Sequence, residues 1–196
     1  MAHTSGTTGS GLVFPTTIRA VQEQWSVWWR YRLLHNITRD TWCGYFGGRP
    51  IVPIQQKSAP YWRLNWPSKQ VMYSAYHISD DTLDYYIHDI IERDLRWLHG
   101  YPSIISLIAA HMISKNLRNV ANVEVITIGA ENLSQHQHRM IKDAFGISPR
   151  QHYGMAEGVA NISENKKGEL LIDEDFSVVE FSDPSDSGSR NVIGTN

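Results

Sequence analysis

The opening of the chain carries the first residues whose types and spacing could do chemistry. Residues 4–9 read TSGTTG, which combines glycine with hydroxyl-bearing side chains over one short stretch. Glycine lets a backbone approach a phosphate closely, and N–H groups and hydroxyls can then donate to its oxygens. The same composition is typical of a flexible, solvated terminus. Composition leaves both interpretations open, and no strand or helix is predicted before this stretch.

The stretch is not the common nucleotide-binding P-loop. It has that motif's four-residue gap between glycines, but Leu12 and Val13 stand where Lys and Ser or Thr are required. A phosphate bound here would therefore be held by backbone N–H groups and by the hydroxyls of Ser5, Thr7 and Thr8. Positive charge would have to come from a metal ion or from another segment.

Two later segments place small or polar residues directly after a predicted strand. In VITIGAENLS an apolar run ends in Gly-Ala-Glu at residues 129–131, and in QHYGMAEG the aromatic Tyr153 precedes Gly154 and Glu157. Open α/β sheets bind ligands at the carboxyl edge of their strands, and a carboxylate such as Glu157 suits Mg²⁺. Each segment taken alone is equally typical of an ordinary turn.

Composition indicates a globular protein and excludes several classes of function. The 196 residues suffice for one domain, or part of a larger one, with a sizeable core. The formal net charge is −2, so no overall basic field favours nucleic acid or an anionic membrane. Cys43 is the only cysteine, which excludes an intramolecular disulfide and suits the cytoplasm. The apolar run at residues 104–113 is too short to span a membrane.

Apolar residues at helical spacing predict helices in four places. These are TTIRAVQEQWSVWWRYRLLHN after Pro15, a segment capped by Ser79 or Asp80 and closed by Gly100, a segment that Pro102 opens and that runs to about Leu117, and a segment with a Ser134–Gln137 capping box that stops at Gly146. Trp25, Trp28 and Trp29 share one face of the first helix, where we expect them to pack in a core or against a neighbour.

Predicted strands alternate with these helices. They are a short buried strand that follows a turn within GGRPIVPIQ, and the segments QVMYSAYHI, VEVITIG, RQHYG, ELLID and FSVVEF. A loop is predicted at residues 55–69, and the last two strands are predicted to form an antiparallel pair. Strands that alternate with helices indicate an α/β fold, with a layered sheet flanked by helices.

The three chemical segments, in their order TSGTTG, IGAEN and YGMAEG, resemble the adenylate-forming superfamily of acyl-CoA synthetases, luciferases and peptide-synthetase adenylation domains. WSVWWRYRLL followed by FGGRPIVP, and the Gly-Tyr-Pro-Ser of residues 100–103, resemble more closely the phenylacetate–CoA ligase-like branch, which includes relatives from capsular polysaccharide biosynthesis. The likeness covers essentially the whole chain. It implies a mixed sheet flanked by helices, in the layered N-terminal domain of an adenylate-forming enzyme.

The resemblance also implies roles for individual residues and a set of ligands. The ligands are ATP, Mg²⁺, coenzyme A and a carboxylic acid, for which the branch name suggests an aryl acid. In the loop at residues 4–11, the implied phosphate-binding residues are Thr4, Ser5, Gly6, Thr7, Thr8 and Gly9. The implied adenine-binding residues are Gly129, Ala130 and Glu131. Tyr153 and Gly154 would stack on the adenine and form the edge of the acyl pocket, and Glu157 would coordinate Mg²⁺.

The chain departs from the family pattern in ways that leave two functions open. Ala156 stands where the family has a Thr whose hydroxyl contacts the α-phosphate. The ribose-binding Asp and the catalytic Lys of the C-terminal domain have no counterpart in residues 1–196, so we expect an incomplete AMP-binding N-terminal domain without a complete catalytic set. One reading is a truncated, inactive part of an AMP-forming ligase. The other is a non-catalytic nucleotide-binding or scaffold protein that retains the fold.

Overall fold

A computed structural model describes residues 11–196 in full and residues 2–3 for their backbone. The chain divides into unit 1, which consists of Met1–Asn36 and His152–Asn196, and unit 2, which consists of Ile37–Gln151. In chain order the elements are β1 (Ala2–His3), β2 (Val13–Phe14), α1 (Ile18–Leu34), β3 (Cys43–Gly47), β4 (Trp62–Asn65), β5 (Gln70–Ser74), α2 (Leu83–Glu92), β6 (Trp97–Gly100), α3 (Pro102–Ser114), β7 (Val125–Gly129), α4 (Gln135–Phe145), β8 (Arg150–Gly154), β9 (Asn161–Glu164), β10 (Leu170–Ile172), β11 (Val178–Phe181) and β12 (Val192–Thr195).

Unit 2 is built on a mostly parallel sheet. Its strands lie in the order β7-β6-β3-β5-β4, and each neighbouring pair is parallel except β4 with β5. Trp97 and Leu98 are neighbours on β6 and so point to opposite faces of the sheet, and both are buried, as expected for a strand covered on both faces. Because parallel strands run in one direction, β3, β5, β6 and β7 end at the same edge of this sheet, which we call the strand-end edge.

Three helices cover the sheet of unit 2, which confirms the predicted α/β class. Tyr86 of α2, Ile105 of α3 and Ile141 of α4 belong to the same buried apolar cluster as residues of β5, β6 and β7. The capping box predicted for α4 is present, because the Ser134 hydroxyl accepts from the Gln137 N–H and the Gln137 side chain accepts from the Ser134 N–H. None of the helices in the described part of the chain is long and apolar enough to cross a membrane.

The predicted second helix is wrong in its length. Helix α2 ends at Glu92, and Asp94 then adopts a left-handed conformation with φ of 52°. Trp97 and Leu98, which continue the apolar pattern, belong to β6, a strand between β3 and β7. Both are buried, and periodicity cannot distinguish a short, fully buried strand from the continuation of a helix.

One strand prediction and one loop prediction between the first and second helices are also wrong. No strand forms over GGRPIVPIQ; the strand here is β3, which ends at Gly47. Proline cannot donate to a sheet ladder, and Pro50 and Pro53 interrupt the stretch that follows. The predicted loop at residues 55–69 contains β4, the antiparallel edge strand. Its polar residues Arg63 and Asn65 hide the strand pattern because an edge strand is only half covered.

Unit 1 combines helix α1 with short antiparallel strands. The predicted first helix is confirmed, and its N-cap is Thr17, whose hydroxyl accepts from the Ala20 N–H at 3.1 Å. Strand β9 pairs antiparallel with β8 and with β10. The two late strands exist, but their predicted pairing with each other is wrong: β10 pairs with β9, and β11 pairs with β12. Periodicity identifies a strand without identifying its partner.

Candidate functional site

The predicted phosphate-loop residues Thr4, Ser5, Gly6, Thr7, Thr8 and Gly9 lie outside the described residues. The strands on either side of them in the sequence are paired, because β1 and β2 form an antiparallel ladder in which residue 2 faces Phe14 and residue 3 faces Val13. The expectation that no strand precedes this stretch is therefore wrong. A two-residue strand has too few positions for the alternation that identifies strands in a sequence.

The predicted adenine segment lies at the strand-end edge of unit 2. Gly129 is the last residue of β7, and Ala130 follows it with φ of 65°. A left-handed conformation is uncommon for any residue other than glycine, and such strain is found most often where a ligand or a functional turn requires it. The backbone therefore leaves β7 through a left-handed alanine, whereas the other described non-glycine residues with positive φ are Asn, Asp or Lys.

Glu131 reaches from this segment to the start of α3. Its Oε2 accepts a hydrogen bond from the backbone N–H of Ser103 at 3.1 Å. The first N–H groups of a helix have no partner within the helix, and Tyr101, the N-cap of α3, makes no side-chain capping bond. Glu131 thus supplies the missing cap from 28 residues away in sequence, and the same bond ties residues 129–131 to α3.

Two tyrosines lie at the same edge, close to the residue that follows β3. The Tyr76 hydroxyl donates to the carbonyl oxygen of Gly48 at 3.0 Å. A Cβ atom placed on Gly48 would lie 2.8 Å from the Tyr101 hydroxyl, so only glycine fits there without movement. These contacts give the strand-end edge an aromatic surface that the sequence did not indicate, because Tyr76 and Tyr101 follow different strands.

The predicted Tyr-Gly/Glu segment lies in unit 1, where β8 ends and a tight turn follows. Tyr153 is 39% exposed, and Gly154 faces Asn161 of β9. The Gly158 N–H donates to the Met155 carbonyl oxygen at 3.0 Å, with Gly158 at a φ of 69°. We call residues 155–158 the Glu157 turn.

Within the described part of the chain, the Glu157 carboxylate makes no ion pair and no hydrogen bond. It is half-buried in a turn whose backbone is fixed at both ends. A carboxylate that no cation neutralises can coordinate a metal ion. Ala156, beside it, is exposed.

One face of α1 packs against β8 and the Glu157 turn. Trp28 meets the His152 ring edge to face at 5.9 Å, and Tyr31 lies 5.2 Å from the same ring. Burial lowers the pKa of His152 to about 4, so the imidazole is neutral near pH 7. Trp25, on the outer side of this face, is 44% exposed, so the expectation of packing holds only in part for the three tryptophans.

Polar contacts continue this face of α1 at its two ends. The Gln24 side-chain amide donates to the Met155 carbonyl oxygen at 3.2 Å. At the other end, His35 Nε2 donates to the carbonyl oxygen of Glu164 at 2.7 Å. Gln24, Trp28, Tyr31 and His35 are spaced as one helical stripe. That spacing was visible in the sequence, but their partners were not.

An arginine on α1 forms the strongest charged contact of unit 1. Arg30 donates to Asp173 at 2.6 Å and to both carboxylate oxygens of Asp175, at 2.5 and 2.9 Å. The bond with Asp175 raises the pKa of Arg30 and lowers that of Asp175. Asp173 also accepts from Asn161 at 2.6 Å and from Ser163 at 2.7 Å. Helix α1 is therefore held to β9 and to the segment after β10.

The predicted site residues thus form two local groups, Gly129–Glu131 in unit 2 and Tyr153–Glu157 in unit 1. Sequence reasoning missed the residues that hold them, namely Ser103 for the first group and Gln24 for the second. Among the described residues, no cluster of three or more His, Cys, Asp or Glu side chains could hold a metal ion. A metal at Glu157 would therefore need oxygen ligands from a substrate or from water.

Comparison with known proteins finds a similar protein by sequence and similar folds among solved structures. No protein-family model matches the chain. Protein CapK of Staphylococcus aureus is 33% identical over 177 residues, which cover 90% of this chain and 39% of CapK. The chain spans about two fifths of the length of CapK and of the two ligases described next.

Two of the solved structures with a similar fold are CoA ligases. A malonyl-CoA ligase, in a ternary product complex with methylmalonyl-CoA and AMP, aligns with a TM-score of 0.55 at 20% identity over 98% of this chain and 42% of its own. An open conformation of 2-hydroxyisobutyryl-CoA ligase, in complex with 2-HIB-AMP and CoA, aligns with a TM-score of 0.62 at 13% identity over 91% of this chain and 42% of its own. The chain therefore has the α/β fold of the N-terminal domain of adenylate-forming enzymes.

Proposed function

We propose that the chain is part of an ATP-dependent carboxylate–CoA ligase of the phenylacetate–CoA ligase-like kind. The observation that carries the proposal is the carboxylate of Glu157, which has no ion pair or hydrogen bond among the described residues and lies in the tight turn after Tyr153 and Gly154, within a chain of this fold. A fold hosts many functions, so the site has to support the activity as well. The order of TSGTTG, IGAEN and YGMAEG along the chain supports it in that way.

Under this proposal residues 1–196 are part of an AMP-binding N-terminal domain. Residues 4–11 would bind the ATP phosphates, residues 129–131 the adenine, and Tyr153 with Gly154 the adenine face and one edge of the acyl pocket. The left-handed backbone at Ala130 and the bond from Ser103 to Glu131 support a segment with a fixed shape. Pre-organised segments of this kind lower the cost of ordering the protein around a ligand.

The proposed reaction has two steps. A carboxylate oxygen of the acid attacks the α-phosphorus of ATP, the bond to pyrophosphate breaks, and an acyl-adenylate forms. The thiol of coenzyme A then takes the acyl group and AMP leaves. The chain's contribution to the first step is to position the reactants and to place hydrogen-bond donors and Glu157 around the phosphates.

Glu157 suits Mg²⁺ by its chemistry. Mg²⁺ is commonly bound through one or two carboxylates together with substrate phosphates and waters, rather than by an all-protein cage. A single, half-buried carboxylate without a cation beside it meets that requirement. When bound, the metal would neutralise charge on the ATP phosphates. Glu157 would hold it in place, and the turn would hold Glu157.

The two tyrosines at the strand-end edge support an aryl acid as the substrate. Tyr76 and Tyr101 both lie close to Gly48, at the same edge as residues 129–131. Aromatic side chains favour offset or edge-to-face contact with another ring, and their hydroxyls can bind a polar substituent. An alkyl acid would gain the apolar contact but not the ring contact.

The test is substrate-dependent release of pyrophosphate and AMP, with binding of ATP measured alongside. Because we expect no complete catalytic set in residues 1–196, turnover with aryl acids, Mg²⁺ and coenzyme A is expected from a longer protein that carries this chain together with the missing catalytic residues, and not from residues 1–196 alone. Glu157→Gln should lower it by about 10²-fold or more, because a pre-organised charge in the site is lost. Glu174→Gln, an exposed glutamate of the same unit, is the matched control and should change nothing.

Other outcomes separate the alternatives. Unchanged turnover in Glu157→Gln would remove this residue from the site. ATP binding without turnover for any acid in a panel of aryl and alkyl acids would instead favour a nucleotide-binding protein that does not catalyse the reaction. Absence of ATP binding would overturn the proposal.

A further inference from the structure

The Gln24 side chain of helix α1 hydrogen-bonds the Glu157 turn. The Met155 carbonyl oxygen accepts two hydrogen bonds, one from Gly158 within the turn at 3.0 Å and one from the Gln24 amide at 3.2 Å. The Gln24 side-chain oxygen lies 4.0 Å from the position that a Cβ atom on Gly158 would take, so Gln24 is also near the far end of the turn. There the Asn196 side-chain amide donates to the Gly158 carbonyl oxygen at 2.9 Å, so Gln24 supports the Met155 end and Asn196 the Gly158 end of the segment that carries Glu157.

Helix α1 is itself firmly held within unit 1 by contacts that do not involve Gln24. Arg30 binds Asp173 and Asp175, and His35 donates to the Glu164 carbonyl oxygen. A charged bidentate hydrogen bond is among the stronger polar contacts in proteins. The helix can therefore act as a fixed support, against which one amide holds the turn.

A turn of four residues needs such support if its carboxylate is to bind a metal ion. Within the described part of the chain, the carboxylate of Glu157 has no hydrogen-bond partner to orient it, so its position depends on the backbone of the turn. Ligands of metal sites are usually oriented by further groups behind them, whose loss weakens metal affinity. Gln24 is such a group here, and it binds the Met155 carbonyl oxygen of the turn rather than the carboxylate of Glu157.

We propose that Gln24 is a positioning residue, whose side-chain amide holds the Met155–Gly158 turn so that Glu157 is presented to the Mg²⁺ that accompanies ATP. The metal part of this inference rests on the proposed function. The structural part, that Gln24 fixes the turn, stands on the hydrogen bond of Gln24 with Met155 and its position near Gly158 alone. The two parts can be measured separately.

The experiment compares Gln24→Met with Gln22→Met in the full chain. Methionine is close to glutamine in shape and helix propensity but cannot donate a hydrogen bond. Gln22 is exposed on α1, which makes it the matched control. The first readout is amide exchange of Gly158 by NMR, with global stability followed by chemical denaturation. We expect exchange of Gly158 to rise about fivefold in Gln24→Met, the loss of one typical hydrogen bond, and to stay unchanged in Gln22→Met.

The second readout is Mg²⁺ titration of ATP binding by calorimetry. We expect Gln24→Met to weaken the Mg²⁺-dependent part of ATP binding about fivefold and to leave binding without Mg²⁺ unchanged. Unchanged exchange of Gly158 would overturn the inference. Faster exchange with unchanged Mg²⁺ dependence would reduce Gln24 to a purely structural role and overturn the positioning claim.

Failure of the proposed function gives a different pattern. If Glu157→Gln leaves the Mg²⁺ dependence of ATP binding unchanged, Glu157 is not the metal ligand, and the role of Gln24 toward the metal is overturned with it. Gly158 would still exchange faster in Gln24→Met in that case. Amide exchange of Gly158 therefore tests whether Gln24 holds the turn, and the Mg²⁺ dependence of ATP binding in Glu157→Gln tests whether Glu157 is the metal ligand.

Discussion

The two predicted ligand segments are supported by different kinds of contact. In unit 2, residues 129–131 follow a strand whose sheet and helices share a continuous apolar cluster. Among the described residues of unit 1, by contrast, buried side chains are as often polar as apolar. The polar ones are His35, Asn161, Ser163, Glu164 and Ser177, and the apolar ones are Val27, Tyr31, Ala160 and Phe176.

The difference has a physical consequence for the two segments. Apolar packing is non-directional and insensitive to pH, so it holds the strand-end edge of unit 2 in place over a wide range of conditions. Hydrogen bonds and ion pairs are directional, and their strength depends on protonation. The Glu157 turn is thus supported by directional contacts, among them the side-chain amides of Gln24 and Asn196.

Removing apolar volume from unit 2 should give the largest effect. Ile108 of α3 is fully buried in the cluster, whereas its neighbour Leu107 is 51% exposed. Ile108→Ala should lower the free energy of unfolding by about 2–5 kcal/mol, through lost transfer free energy and the cavity that remains. Leu107→Ala, the control, should change it by less than about 0.5 kcal/mol. Chemical denaturation followed by near-UV circular dichroism measures both, and equal effects would contradict the assignment of the core to this face.

The parts of the fold that could be predicted from the sequence are those with local signals. The capping box of Ser134 and Gln137, the stop at Gly146 and the start of α3 at Pro102 all depend on residues within a few positions of one another. Strand β6 could not be predicted, because Trp97 and Leu98 are buried by elements far away in sequence and their pattern matches that of a helix.

In the candidate site, too, the features that could be predicted are those with local sequence signals. The placement of Gly129 at a strand end and of Glu157 in a turn after β8 follows from local patterns that the sequence contains. The bond from Gln24 to Met155 joins residues 131 positions apart, and nothing about a glutamine on a helix indicates which backbone carbonyl it reaches. Supporting residues of this kind become visible only once the strands are paired.

A pH titration should reveal the polar support of unit 1. The pKa of His152 is about 4 in the folded chain, lowered by burial, against about 6.5 when unfolded. Because the folded pKa is the lower one, the contribution of His152 is fully present above pH 6.5 and is lost as the pH falls toward 4. The difference of about 2.5 units corresponds to about 3 kcal/mol at pH 4 and below.

The measurement is the free energy of unfolding between pH 7 and pH 4, for the unaltered chain and for His152→Gln. The difference between the two should shrink by up to about 3 kcal/mol over this interval, because glutamine does not titrate. His136→Gln changes an exposed histidine and is the control. Carboxylates titrate in all three proteins, so their effect cancels in the comparison. A difference that does not vary with pH would show that the buried imidazole is not what makes unit 1 sensitive to acid.

The smallest effect is expected at a polar contact of residues 129–131 in unit 2, the segment proposed to bind adenine. Glu131→Ala removes the acceptor for the Ser103 N–H and the negative charge near the N-terminus of α3, which together should cost about 1 kcal/mol. Glu131→Gln keeps an acceptor oxygen and should restore part of that loss. Glu124→Ala, which breaks an exposed ion pair with Arg96, is the matched control with an expected effect of about 0–1 kcal/mol. Amide exchange of Ser103 distinguishes the two, since only loss of the cap should speed it. If Glu131→Ala leaves that exchange unchanged, the shape of residues 129–131 depends on the apolar core alone, and the contrast between the two units becomes sharper.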